Sequence, residues 1–75
     1  MYNPILDVFM IVAKKGSFSK AAQYLFLTHT AVIRQMNTLE VQLQTQIFYR
    51  SHQGISLTPA GQVLYNETKR IMSLN

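Results

Sequence analysis

His29, Thr30, Arg34, Asn37 and Thr38 fall at steps that place them on the more polar side of one helical stretch. An imidazole, two hydroxyls, a guanidinium and a carboxamide suit hydrogen bonding to the edges of another molecule rather than breaking bonds within it. The groups able to move protons are scattered. Asp7, Glu40 and Glu67 are well separated, and His29 and His52 lack metal-ligand spacing and have no cysteine beside them. No glycine-rich phosphate loop is present. These residues argue against an enzyme.

The polar side needs a scaffold, and 75 residues make one small domain. With no cysteine, neither disulfides nor a thiolate metal site can staple it, which fits a reducing compartment. Hydrophobic residues at 48% imply a packed fold rather than a disordered tail. A formal charge of +4 and a pI near 9.8 suit an anionic partner, or simply a soluble surface. The basic residues do not line one amphipathic face, so a membrane surface is disfavoured. The stretch "ILDVFMIVA" lacks a basic leader, is interrupted by Asp7 and is too short for a bilayer. It reads as a buried helix of a cytoplasmic protein.

Asn3-Pro4 opens that first helix as cap and first helical residue, and Lys14-Lys15-Gly16 closes it. Leu6, Phe9, Val12 and Ala13 share its inner face; Val8 and Ile11 fall on the opposite side, either as scattered exposed residues or against a partner subunit. Ser17 or Ser19 caps a second helix that carries Ala21, Ala22 and Leu25 inward. Thr28 caps a third, with Val32, Met36, Leu39 and Leu43 as its apolar stripe. Ile47 to Arg50 and Ile55 to Leu57 flank a turn with Gly54, predicting a hairpin. Thr58-Pro59 starts a last helix whose Ala60, Leu64, Ile71 and Leu74 form a heptad-like seam broken by Glu67.

The expected fold is therefore mainly α: a winged helix-turn-helix of three helices and a short β-hairpin wing over residues 1–58, then the start of a linker or dimerisation helix over 59–75. Small Ala21 and Ala22 allow the second and third helices to approach at a fixed angle, with Leu25, Leu27 and Val32 filling it. In a DNA-binding helix-turn-helix the second of these enters the major groove; purely structural examples share the pattern. Phe26 departs from it, standing where a residue tolerant of positive φ is usual.

The run "GSFSKAAQYLFLTHTAVIRQMNTLE", then "IFYR", then "GISLTPAG", resembles the N-terminal DNA-binding domain of LysR-type transcriptional regulators, in order and spacing over essentially the entire chain. The resemblance implies binding to double-stranded promoter DNA as a homodimer, or as a tetramer in the full-length protein. It also implies no cofactor in this domain, the small-molecule co-inducer belonging to a C-terminal domain absent from this sequence. At the start of its recognition helix the family usually has Ser-Gln-Pro/Ser-Ala-Val/Leu-Ser; here stand Thr28, His29, Thr30, Ala31, Val32 and Ile33. Base contacts are thereby expected from His29, Thr30, Ile33 and Arg34. Thr28 keeps the capping hydroxyl, and its helix N-terminus can offer N–H groups to a phosphate. His29 replaces the usual Gln and is either a base-edge contact or a plain exposed histidine. Ile33 replaces Ser and can pack on a thymine methyl, while Arg34 matches and suits guanine, unless it is only a solvated arginine.

Backbone contacts are expected from Ser17, Lys20, Thr28 and Gln35, with Ser17 and Lys20 otherwise a cap and a solvated lysine. Arg50 matches the arginine of the family's "LFxR" and either touches phosphate or pairs internally with an acid such as Glu40. At the wing tip His52 and Gln53 stand where an arginine is usual, so grip on a narrow minor groove should weaken. Dimerisation is expected through Val8, Ile11, Val63, Leu64, Ile71 and Leu74, unless the last helix folds back on its own core. The rival function is a winged helix that binds protein rather than DNA.

Overall fold

The computed structural model describes residues 4–73. In chain order it contains α1 (Pro4–Lys15), α2 (Phe18–Leu25), α3 (His29–Leu43), β1 (Phe48–Ser51), β2 (Gly54–Leu57) and α4 (Pro59–Ser73). Three helices, an antiparallel hairpin and a fourth helix make the winged helix-turn-helix that the sequence leads one to expect. Asn3 and Leu74 lie outside the described residues.

Local signals fix the boundaries. Gly16, at φ 66°, ends α1 in the left-handed region where a side chain would be strained. Ser17, not Ser19, caps α2 by accepting the Lys20 N–H at 3.2 Å. Thr28 caps α3 in the same way, its hydroxyl accepting from the Ala31 N–H at 3.0 Å. Phe26 closes α2 at φ 57° and ψ 38°, so the left-handed turn forms despite its bulky residue. Gln44 repeats this device after α3, at φ 55°.

Packing departs from the inferred faces in several places. α1 meets α2, α3, α4 and β2, so it is covered on more than one side. Val8, expected to face outward, is buried in the core beside Phe9, Met10 and Val12, and Ile11 is half-buried against it. Leu6 and Ala13 are only half-buried. Of the residues expected at the angle between α2 and α3, Ala21, Ala22 and Val32 are buried and Leu25 packs on the core, but Leu27 is 38% exposed. Leu43, in the last turn of α3, is 42% exposed as well; the inner stripe is Val32, Met36 and Leu39.

The hairpin pairs Phe48 with Leu57 and Ser51 with Gly54. Ile47 precedes the strand rather than beginning it and is fully buried. The wing is held to the body by the Ile55 N–H, which donates to the Gly16 carbonyl at 3.1 Å. Thr58 is a buried junction: its hydroxyl donates to the Gln46 carbonyl at 2.7 Å and accepts from the Gly61 N–H at 3.0 Å. This caps α4 and fixes its direction. Along α4, Gly61 and Thr68 are buried and Leu64 and Tyr65 pack on the core. The expected seam is thus split: Leu64 turns inward, while Ile71 is 57% and Val63 63% exposed.

Candidate nucleic-acid interface

The N-terminal half of α3 presents its outer side to solvent. His29, Thr30, Arg34, Asn37 and Thr38 are exposed and Ile33 is half-buried. A shallow open trough runs along this side, lined by Thr30, Ile33, Arg34, Asn37, Thr38, Val41 and Gln42. Of the expected base-contacting residues, Thr30, Ile33 and Arg34 are brought together there. His29 sits at the helix start, its ring edge-on to Phe18 with centroids 6.5 Å apart. Gln35 is half-buried and lies outside the trough. Two residues along a helix are about 200° apart, so Gln35 and Ile33 occupy opposite flanks of α3.

Two polar side chains of the trough are already engaged within the chain. The Thr38 hydroxyl donates to the Arg34 carbonyl at 2.9 Å, and the Asn37 Oδ1 accepts from Arg50 Nη2 at 2.8 Å. The Arg34 guanidinium, by contrast, has no partner among the described residues. It is an exposed cation with its fork of N–H donors available.

Of the two roles expected of Arg50, the internal pair is formed. Its Nη2 also donates to Glu40 Oε1 at 2.8 Å, and its guanidinium lies 5.2 Å from the Phe18 ring centroid. With its side chain 35% exposed, Arg50 is committed first to tying β1 to α3. Glu40 does more than pair: its Oε2 accepts the N–H of Ile47 at 2.8 Å and of Phe48 at 3.3 Å. This role is not legible from residue order, since a carboxylate reaching the main chain seven and eight residues on leaves no periodic trace.

His52 and Gln53 stand exposed at the wing tip. Ser51 shapes that turn, accepting the Gln53 N–H at 3.3 Å and donating to the Gly54 carbonyl at 3.2 Å. Ser17 is half-buried, its hydroxyl spent on the cap, and Lys20 is exposed in the first turn of α2. No group of three metal-ligating side chains occurs among the described residues. None of their helices is long and apolar enough to cross a membrane.

A short helix braced against a longer one with an exposed outer face, and a hairpin tied to that longer helix, define a winged helix-turn-helix domain of the nucleic-acid-binding type. Residues 5–62 match the bacterial regulatory helix-turn-helix proteins of the lysR family, and the chain belongs to that family. It is 48% identical over 69 residues to the HTH-type transcriptional regulator YofA of Bacillus velezensis, covering 92% of this chain and 24% of that protein. It is 43% identical over 68 residues to the HTH-type transcriptional regulator GltR of Bacillus subtilis, covering 91% of this chain and 23% of the relative. The chain therefore spans about a quarter of the length of these curated relatives. Among solved structures, the CbnR_DBD–DNA complex is similar with a TM-score of 0.89 at 36% identity, over 99% of this chain and 85% of that one. The BenM_DBD/benA site 1 DNA complex is similar with a TM-score of 0.89 at 30% identity, over 97% and 85%. The relatives are named as transcriptional regulators, not enzymes.

Proposed function

We propose that this chain is a sequence-specific reader of double-stranded DNA within a LysR-type transcriptional regulator. α3 lies in the major groove, and the wing meets the adjacent minor groove or backbone. The observation that carries this reading is Arg34: an exposed guanidinium without a partner among the described residues, beside Thr30 and Ile33 on the outer side of α3. The likeness to two DNA-binding domains described as DNA complexes supports it.

Base contacts come from His29, Thr30, Ile33 and Arg34, and backbone contacts from Ser17, Lys20, Thr28 and the wing. Two copies associate through the outward side of α4, where Val63 and Ile71 are exposed, so that paired half-sites are read together. In the parent regulator a further domain senses a small-molecule co-inducer, and dimers pair into tetramers.

Selection from random duplex DNA tests the reading. Recovery of a two-fold motif, its half-sites one helical turn or a multiple apart, is expected. With six or more phosphate contacts, affinity should fall about 10³-fold or more between 50 and 200 mM salt. Enrichment of no motif, with binding insensitive to salt, would overturn it in favour of a protein-binding winged helix.

A further inference from the structure

Ile33 is half-buried, yet it is not one of the apolar side chains packed against the core. Its shelter comes from the trough on the outer side of α3, between Thr30 and Arg34. The surroundings offer fewer free polar groups than the sequence suggests. Thr38 spends its hydroxyl on the Arg34 carbonyl, and the Asn37 carboxamide oxygen is held by Arg50. Val41, 75% exposed, continues the same lining. An isoleucine can neither donate to a phosphate nor pair with a base edge. What it can do is remove an apolar group from water together with itself.

We infer that Ile33 is a specificity-determining residue that selects a thymine by its C5-methyl group. In the major groove that methyl is the apolar feature that separates T·A from the other base pairs. Arg34, one residue on, reads acceptors nearby, so each half-site should hold one methyl-dependent thymine close to a guanine. The inference rests on α3 occupying the major groove as proposed above.

Replacing each thymine of the selected duplex, one at a time, by deoxyuridine removes the methyl and leaves the pairing edge intact. For the unaltered chain, one position in each half-site should lose affinity by about fourfold, the worth of one buried methyl-sized group. Ile33→Ser should bind deoxyuridine and thymidine duplexes equally at that position. Should wild-type protein bind the selected duplex yet respond to no deoxyuridine, the methyl-reading role is wrong while the DNA-binding reading stands. The role also fails if Ile33→Ser keeps the wild-type sensitivity, because another side chain then reads the methyl. Failure to bind any duplex overturns both. The deoxyuridine scan uses the unaltered chain, so it decides the matter even if the Ile33→Ser variant folds poorly.

Discussion

Arg50 Nη2 lies 2.8 Å from Glu40 Oε1, joining the first strand of the wing to the third helix. The same nitrogen reaches Asn37 at 2.8 Å, and the other Glu40 oxygen holds the main chain where it turns into β1. The wing is thus set relative to α3 by side chains on α3 itself. Any DNA that meets both elements meets a pre-arranged pair, which lowers the ordering cost of binding.

Glu40→Ala should cost about 3 kcal/mol of stability in urea unfolding, because two backbone N–H groups lose a charged acceptor. Arg50→Ala should cost less, about 1 kcal/mol, since that pair is partly open to solvent. Equal losses in the two variants would show that the ion pair, rather than the main-chain hydrogen bonds, holds the junction.

Phe26→Gly should stabilise the chain by about 1 kcal/mol, since a left-handed side-chain-bearing residue is costly and Gly adopts that conformation freely. With Phe26 95% exposed, almost no burial is lost. A lowered denaturation midpoint would mean that the ring makes a stabilising contact after all.

Gly61→Ala should be among the most damaging small substitutions, at about 2–3 kcal/mol. A Cβ at Gly61 would stand 2.1 Å from the Ile47 carbonyl oxygen, which is main chain and cannot swing aside. Thermal melts that match wild type would show that α4 can slide on the segment before β1.

Arg34→Ala should leave the melting temperature unchanged, because the side chain is exposed and has no partner among the described residues. Discrimination at one base pair of each half-site should fall by about 1–3 kcal/mol. Binding profiles over randomised sites provide the check, and an unaltered profile removes Arg34 from the base-reading set.

Ile71→Glu should give monomers in sedimentation with native circular dichroism, since Ile71 is 57% exposed on the single chain. Leu64→Glu should instead unfold the domain, because Leu64 packs on the core. A dimer that survives Ile71→Glu at micromolar concentration moves the subunit contact to another face.

Caps and turns could be read directly from the residues. Thr28, Thr58-Pro59 and Gly16 act on their immediate neighbours, so their consequences are local and the elements begin and end where the chain indicates. The left-handed position of Phe26 followed from the helix-turn-helix pattern and against its own residue type. The exposed polar side of α3 followed from helical period alone, since an inward stripe of Val32, Met36 and Leu39 leaves the other side outward.

Tertiary structure decided what depends on several elements meeting. Val8 looked outward on a one-sided helix, but α1 is enclosed by neighbours and buries it. Leu64 and Ile71 shared a seam by spacing, yet Leu64 packs on the core while Ile71 stays exposed. The internal pairing of Arg50 was one of two open roles, and it forms through the closeness of Glu40, Asn37 and Phe18. Periodicity and caps act within about one helical turn and survive in one dimension. Enclosure and charge pairing depend on distances through space, which become defined only once the chain has folded.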